Sequence, residues 1–195
     1  IVVFSNRDQS LLAIFGIKDQ LRPQAKKALL KLKKLGIKKL VMLSGDKQQT
    51  AEKIATELPL DEVHGEQLPS DKATFIKAEQ QKENKVACIG DGINDGPALA
   101  SANVAIAVGN GTDVAVDVSD IVLVKNDLKQ VAYAFSLSKR TILNMNENIA
   151  LALLTVLILF IGLFVGYIEM ASGMLVHELS ILVVILNGMR LLKNR

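Results

Sequence analysis

The sequence predicts a doubly wound α/β domain followed by a pair of membrane helices. Two observations support this prediction. Short apolar runs alternate with amphipathic helical patterns up to about residue 126, which is typical of a parallel sheet with crossover helices. Charged residues then become scarce, because residues 149–195 contain only five of them. The mean hydropathy of +0.31 is therefore concentrated toward the end of the chain.

Breaker and capping residues set the limits of the predicted elements. Pro23 suits the first turn of a helix that Gly36 ends, and Pro69 precedes a helix with Ser70 as its expected N-cap. The run 86–89 is apolar at every position, as expected for a parallel strand covered on both faces. The predicted strands are 12–17, 40–43, 62–64, 86–89, 104–108 and 121–124, and the predicted helices are 22–35, 47–58, 70–81 and 95–102.

The composition excludes several classes of protein. A single cysteine excludes a disulfide scaffold and a cysteine-cluster zinc site. A net charge of +3, no Trp and 4% aromatic residues leave neither a polyanion-binding charge nor a base-stacking surface, so we expect no nucleic-acid partner. The chain carries no signal-peptide pattern and begins at Ile1 within a strand pattern, so we expect it to be the C-terminal part of a longer protein.

Three polar segments fall at the carboxyl ends of predicted strands or at helix starts, where parallel sheets bind ligands. Ser44-Gly45-Asp46 follows one strand, Pro69-Ser70-Asp71-Lys72 begins a helix, and residues 90–97 (GDGINDGP) follow another strand. An isolated Ser-Gly-Asp is usually an ordinary turn, and an isolated lysine is usually a solvated helix residue. The occurrence of all three segments at such positions favours a phosphate site.

The chemistry of these segments is consistent with one pocket. The Ser44 hydroxyl and neighbouring backbone N–H groups can hold phosphate oxygens, and Lys72 adds a positive charge. Asp91 and Asp95 lie four residues apart across a strand end and a helix start, so both can face one Mg²⁺ ion, directly or through water. The glycines at 109–111 fit an ordinary loop. The sequence thus predicts a pocket for phosphate and Mg²⁺.

Residues 90–99 (GDGINDGPAL) closely resemble the GDGxNDxPAL hinge motif of P-type cation-transporting ATPases. The order of the surrounding segments along the chain also matches that family. Asp19 with Arg22-Pro23 comes first, residues 44–46 and 69–72 follow, and a membrane helix pair comes after the hinge motif. One difference is Gly96, where that family usually has Ala. The resemblance implies that residues 1–126 are the C-terminal part of a haloacid-dehalogenase-like phosphorylation domain, followed by a linking helix at 127–148 and a transmembrane pair at 149–192.

The resemblance also implies roles for the site residues. Asp91 would bind Mg²⁺ and Asp95 would support it. Lys72 and Ser44 would contact an aspartyl phosphate, to which Gly45 would donate its backbone N–H. The resemblance further implies that ATP is the substrate and that Mg²⁺ is the cofactor.

Three further residues would complete the site. Asp46 and Asn94 would hold it together, and Asp19 would belong to the turn that joins the phosphorylation and nucleotide domains. The nucleophile of the family lies in an Asp-Lys-Thr-Gly-Thr motif, which this sequence lacks, together with the nucleotide-binding and actuator domains. We therefore expect ATP to bind mainly to an upstream domain, and this chain to be inactive alone.

The C-terminal region predicts a hairpin in the lipid bilayer. Residues 149–168 carry no charge, and twenty helical residues span about 30 Å, the thickness of a bilayer core. The second span is 170–189. Basic residues flank the outer ends of the pair but not the turn at 169–173, which predicts cytoplasmic ends. These basic residues are Lys139, Arg140, Arg190, Lys193 and Arg195. The resemblance implies an integral protein of a bacterial plasma membrane, with the α/β domain in the cytoplasm.

His177, Glu178 and Ser180 are the informative polar residues of the second span. Ionisable groups inside a membrane usually face the protein interior, and this ligand set suits a borderline divalent metal. The alternative is a shallow placement in which Glu178 is simply hydrated. The functional interpretation makes a divalent heavy-metal ion the transported substrate.

The segment 183–192 resembles the final span of the heavy-metal subgroup. His177 stands where copper pumps have Met, Ile181 replaces one of their serines, and no Tyr precedes Asn148, so a divalent metal of the Zn/Cd/Co class is favoured over copper. The His-Glu pair resembles cobalt/zinc/iron-type pumps, although it continues Leu-Ser-Ile rather than Gly-Gly-Thr. The Asp usual in zinc/cadmium pumps is absent.

Other functions stay open at this point. A membrane-tethered phosphatase of the same fold would need an Asp-x-Asp motif, which the sequence lacks. A copper-type pump and a non-catalytic regulatory protein are the remaining alternatives. The sequence leaves the oligomeric state undetermined.

Overall fold

A computed structural model describes residues 2–5, 11–15, 21–109, 113–125 and 127–192. The chain divides into two compact units, Ile1–Val131 and Ala132–Arg195. The domain limits at residues 126 and 148 stay predictions, because compactness alone does not define a domain.

The first unit alternates strands and helices, as the sequence predicts. Its elements are β1 Val2–Ser5, β2 Leu11–Phe15, α1 Ala25–Lys34, β3 Val41–Leu43, α2 Gln48–Ala55, β4 Glu62–His64, α3 Pro69–Gln81, β5 Ala87–Gly90, α4 Gly96–Ser101, β6 Val104–Val108, α5 Asp113–Asp117 and β7 Ile121–Leu123. The sequence analysis did not predict β1 or α5. β1 pairs with β2 in an antiparallel ladder, which is a two-stranded sheet of its own.

The parallel arrangement of the remaining strands is confirmed. β3 pairs with β4, and β5, β6 and β7 form a second ladder in that order. Among the described residues, β3 and β5 are not hydrogen-bonded to each other. The predicted sheet is therefore present as two parallel ladders.

Strand β5 differs from its prediction, because it is not covered on both faces. Ala87 and Ile89 are exposed, the latter by 38%. The opposite face packs well, since Cys88 contacts a core of small and branched residues. Because β5 has only β6 as a hydrogen-bonded neighbour within the described residues, its other edge and one face are open.

The helices of this unit bury one stripe each. α1 buries Ala25, Ala28 and Leu32, spaced three and four residues apart as an amphipathic helix requires. The start of α3 differs from the predicted one, since its N-cap is Leu68 and not Ser70. The Leu68 N–H donates to the Asp71 carboxylate at 3.0 Å, so a side chain in the first turn, not a capping hydroxyl, satisfies this end.

The second unit is a helical hairpin of α6 (Leu128–Phe164), whose first residues belong to the first unit, and α7 (Met170–Met189). The predicted linking helix and the first predicted span are one continuous helix of 37 residues. It ends at Phe164, before the predicted limit, because Gly166 adopts a left-handed conformation with φ +79°. Both helices are long and apolar enough to cross a membrane, with mean hydropathies of 2.3 and 1.7 over an 18-residue window of each.

The two helices pack through stripes of less exposed residues at spacings of three and four. On α6 these are Asn144, Asn148, Leu151, Thr155, Leu159 and Gly162, and on α7 they are Gly173, Ser180, Val184 and Asn187. Most other side chains of the hairpin are apolar and exposed. Such a surface suits contact with lipid on the outside of the pair.

Three amides in these stripes form a cluster, which we name the asparagine cluster: Asn144, Asn148 and Asn187. The Asn144 amide donates to the Asn187 carbonyl at 2.8 Å and accepts from the Asn148 amide at 3.2 Å. The Asn187 amide in turn donates to the Asn148 side chain at 2.9 Å. At the rim, Arg190 forms an ion pair with Glu147 at 3.3 Å. The cluster joins α6 and α7 at the end opposite their turn.

Candidate functional site

The loop after β3, Ser44–Asp46, is a compact turn that we name the phosphate loop. The Ser44 hydroxyl donates to an Asp46 carboxylate oxygen at 3.0 Å, and the Asp46 N–H donates to the Ser44 hydroxyl oxygen at 3.1 Å. Gly45 between them is exposed. The loop thus presents a hydroxyl and a glycine backbone at the carboxyl end of a parallel strand.

Lys72 lies in the first turn of α3 and contacts the residues of the hinge motif, 90–99, which we name the hinge segment. Its ammonium donates to a carboxylate oxygen of Asp95 at 2.8 Å, and the side chains are only 13% and 23% exposed. Both groups are partly withdrawn from water, so the attraction is stronger than that of a surface pair. The structure thereby brings together two residues that the sequence places 23 positions apart.

The hinge segment contains a short 3₁₀ turn, Ile93–Asp95, between β5 and α4. Its geometry requires a glycine at position 90. A Cβ atom on Gly90 would lie 2.6 Å from the Asp95 Cβ and 2.9 Å from one of its carboxylate oxygens. The side chain of Asp95 therefore packs directly on the end of the strand, a contact that sequence reasoning missed although Gly90 is part of the hinge motif.

Asp91 and Asn94 are exposed, and neither side chain has a hydrogen-bond or ion-pair partner in the described part of the chain. The predicted role of Asn94 in holding the site together is matched by no contact here, and it stays a prediction. Asp46 contacts Ser44 within the phosphate loop, and its predicted role stays a prediction as well. Asp19 lies outside the described residues.

The donor set fits a hard cation such as Mg²⁺. Asp91 is an uncommitted carboxylate at a strand end, and Asp95 keeps one oxygen that does not contact Lys72. Mg²⁺ is usually held by one or two protein carboxylates, with water and phosphate oxygens completing its octahedron. Among the described residues, no three His, Cys, Asp or Glu side chains lie close enough together to hold a metal ion by themselves.

Cys88 lies on β5 close to this ion pair. Burial, assisted by the negative charge of Asp95 and opposed by the positive charge of Lys72, raises the pKa of the Cys88 thiol to about 11. At pH 8 about one thiol in a thousand is then ionised, against roughly a quarter for an ordinary cysteine. Since the thiolate is the nucleophile, Cys88 is inert in the folded unit.

Alkylation of this single cysteine tests the packing of β5. We expect iodoacetamide at pH 8 to modify Cys88 at least about a hundredfold more slowly in the native protein than in urea. In a longer protein, mass spectrometry of the peptide that contains Cys88 gives the rate. A native rate within tenfold of the urea rate would contradict the burial described here.

The three polar residues of α7 proposed from the sequence, His177, Glu178 and Ser180, differ in their exposure. His177 lies between Gly173 and Ser180 of the packing stripe but is itself exposed, and the Ser180 hydroxyl donates to the His177 backbone carbonyl at 2.7 Å. Glu178 lies off this stripe, and both ionisable side chains are exposed. A metal held here would need further ligands, because the described residues of the hairpin offer no third carboxylate, imidazole or thiol beside them.

Residues 2–103 match the family model of haloacid dehalogenase-like hydrolases. The chain belongs to this family. Within it, the chain is 42% identical to a zinc-transporting ATPase of Bacillus subtilis (strain 168), over 98% of this chain and 30% of that protein. It is 44% identical to copper-transporting ATPase 2 of Rattus norvegicus, over 75% of this chain and 10% of that protein.

Solved structures agree with these relatives. The crystal structure of a zinc-transporting PIB-type ATPase in an E2.Pi state superposes with a TM-score of 0.81 at 34% identity, covering 90% of this chain and 28% of that one. The similarity to P-type ATPases inferred from residues 90–99, and to their heavy-metal subgroup inferred from residues 183–192, is thereby confirmed, as is the haloacid-dehalogenase-like fold with two apolar C-terminal helices. The chain spans less than a third of each pump.

Proposed function

We propose that this chain is the C-terminal part of a P-type ATPase that exports a divalent heavy metal, with Zn²⁺ as the first candidate. The cycle would transfer the terminal phosphoryl group of ATP to an aspartate, and hydrolysis of that aspartyl phosphate would drive transport. The zinc-transporting relative and the zinc-pump structure support the choice of metal. The copper-transporting relative keeps Cu⁺ as the second candidate.

One observation carries the catalytic part of the proposal. The Lys72–Asp95 pair at 2.8 Å joins the start of α3 to the hinge segment, so a cation for phosphate and the carboxylates for Mg²⁺ lie at one edge of the parallel strands. An ion pair with so little exposure adds little net stability, because the cost of desolvating two charges opposes their attraction. A role in phosphoryl transfer would explain why the protein keeps it, since that reaction is catalysed almost entirely by positioning and by charge.

The residues would act as follows. Ser44 and the Gly45 N–H would hold two phosphoryl oxygens, and Lys72 would neutralise charge on the third. Asp91, with Asp95 beside it, would hold Mg²⁺, which supplies charge stabilisation at the phosphoryl oxygens. In the second half of the cycle water would attack phosphorus, the bond to the aspartate oxygen would break, and inorganic phosphate would leave.

The nucleophilic aspartate would come from elsewhere in the full-length protein, because these 195 residues contain no Asp-Lys-Thr-Gly-Thr motif. The open edges of β3 and β5 offer a place for it. A strand between them would complete one parallel sheet and cover Ile89. Its carboxyl end would then lie between the phosphate loop and the hinge segment, which is where a nucleophile is needed.

The helical hairpin would anchor the protein in the plasma membrane, with the α/β unit in the cytoplasm, and the similarity to the Bacillus relative supports a bacterial membrane. His177 would be a ligand of the transported metal, together with Glu178 and Ser180. Helix α7 begins at Met170, so His177 would lie about 10 Å along the helix, inside the hydrocarbon region. Because ionisable groups inside a membrane usually face protein, we expect His177, which is exposed on this pair of helices, to face other spans of the full-length protein rather than lipid.

The decisive experiment is ATP hydrolysis by the full-length protein in membranes with Zn²⁺, Cd²⁺, Co²⁺, Fe²⁺ and Cu⁺ supplied separately. We expect stimulation by a divalent ion. Stimulation by Cu⁺ alone would replace the proposed metal and leave the proposed phosphoryl chemistry in place. If none of the ions stimulates hydrolysis or phosphoenzyme formation, the transport function is wrong.

His177→Ala separates the membrane site from the catalytic site. We expect metal-stimulated ATP hydrolysis to fall at least about tenfold, because loss of one metal ligand costs more than a kcal/mol of binding. Phosphorylation by inorganic phosphate should stay within twofold of wild type. Gln49→Ala, at an exposed residue of the α/β unit without a side-chain hydrogen-bond partner among the described residues, is the control and should leave both activities unchanged. An unchanged metal response in His177→Ala would place the metal site elsewhere.

A further inference from the structure

The phosphate loop is attached to the segment Gly65–Gln67, which connects β4 to α3 and which we name the connecting segment. Ser44 exchanges backbone hydrogen bonds with both ends of this region: its N–H donates to the His64 carbonyl and its carbonyl accepts from Gln67, each at 2.9 Å. The Glu66 N–H donates to the Asp46 carbonyl at 2.6 Å. Lys72 follows the connecting segment in the chain and lies in the first turn of α3. The connecting segment therefore lies between two of the groups proposed to bind phosphate.

Gln48, the first residue of α2, holds the start of the connecting segment through hydrogen bonds of both its amide oxygen and its amide NH₂ group. Its carbonyl oxygen accepts from the Gly65 N–H, and its NH₂ group donates to the Val63 carbonyl at 3.2 Å and to Glu52 at 2.8 Å. The side chain is half-buried. Of its partners, Val63 and Gly65 flank the point where β4 ends, so Gln48 sets where the connecting segment leaves the strand.

Gly65 is fully buried and has no room for a side chain. A Cβ atom there would lie 2.5 Å from Gln48 Cα, 2.7 Å from Gln48 N and 2.9 Å from the Asp46 carbonyl oxygen. All three atoms belong to the backbone, so relief would require movement of the phosphate loop or of the start of α2. Glu66, the next residue, adopts a left-handed conformation with φ +56°, which a non-glycine residue keeps only where its surroundings enforce it.

We propose that Gln48 and Gly65 are positioning residues of the phosphate site. They fix the connecting segment, and through it the spacing between the phosphate loop and Lys72. Neither residue touches the phosphate. The inference rests on the proposed phosphoryl chemistry, and it adds two residues that lie outside all the motifs recognised in the sequence.

The test compares two adjacent glutamines in the full-length protein. Gln48→Met keeps the size of the side chain and removes its hydrogen bonds, whereas Gln49→Met makes the same change at an exposed residue without a hydrogen-bond partner in the described residues. The measurement is phosphoenzyme formation from inorganic phosphate as a function of phosphate concentration. We expect the half-saturating phosphate concentration to rise about five- to tenfold in Gln48→Met and less than twofold in Gln49→Met, since each hydrogen bond is worth about a factor of five.

Binding of a fluorescent ATP analogue, measured on the same preparations, should be unchanged, because the nucleotide is expected to bind another domain. A lower maximal phosphoenzyme level at unchanged half-saturation would mean that Gln48 only stabilises the fold, and it would overturn the inference, as would equal behaviour of the two variants. If Gln48→Met does not accumulate, Gln48→Asn, whose shorter amide cannot reach both partners, should give about a threefold rise. Absence of wild-type phosphoenzyme would instead reject the proposed function.

Discussion

Asp91→Asn in the full-length protein should abolish phosphoenzyme formation from ATP, with a loss of at least about a thousandfold. The substitution keeps the size of the side chain and removes the negative charge that is proposed to hold Mg²⁺. Asp91 is exposed and has no partner among the described residues, so nothing in the fold depends on it. A metal ion contributes several kcal/mol of charge stabilisation to phosphoryl transfer, and about 4 kcal/mol corresponds to a thousandfold change in rate.

Radiolabelled ATP, acid quenching and autoradiography measure this effect directly. Asp117→Asn is the matched control, because Asp117 is an exposed aspartate on the same unit that also lacks a described partner. The thermal unfolding midpoint should be the same for wild type and both variants. Normal phosphorylation of Asp91→Asn would remove Asp91 from the site.

Lys72→Met should have the second-largest effect, and it should change both activity and stability. The substitution leaves the Asp95 carboxylate, which is 23% exposed, beside an apolar side chain. An uncompensated partly buried charge of this kind destabilises by about 2 kcal/mol after allowance for its contact with water. We also expect phosphoenzyme formation to fall at least about a hundredfold, because a cation on the transferring phosphoryl group is lost.

The control for this variant is Lys77→Met, an exposed lysine on the same helix, α3. It should unfold within about 2 °C of wild type and phosphorylate normally. Lys72→Arg restores the charge without the compact ammonium group, so it should recover stability more fully than activity. If Lys72→Met loses stability but phosphorylates normally, the ion pair is structural and Lys72 does not contact phosphate.

The local patterns of the sequence were sufficient to predict the α/β alternation, because apolar spacing and breaker residues act over a few neighbours. Pro23, Gly36 and Pro69 mark real helix limits within a few residues. The hinge motif also predicted the family, since its residues meet a local demand for a tight turn at a strand end.

Contacts between distant segments could not be predicted in this way. The Lys72–Asp95 pair depends on how α3 lies against the hinge segment, and the amide of Gln48 reaches Gly65 only because β3 and β4 are parallel neighbours. The exposure of Ile89 has the same origin, because an apolar run does not reveal which strands flank it. The predicted roles of the site residues stay predictions until the variants above are measured.

The asparagine cluster has a consequence for how the membrane helices recognise each other. Two apolar stripes can pack in several registers, since a slide of one helical turn, about 5.4 Å, replaces one set of aliphatic contacts with another. The three amides are not interchangeable in that way. Asn144 and Asn148 lie one turn apart, so a one-turn slide would leave Asn187 level with at most one of them and would break hydrogen bonds of the partly buried amides. The cluster therefore destabilises misaligned hairpins more than it stabilises the aligned one. It specifies the register of two helices that otherwise pack mainly through apolar residues.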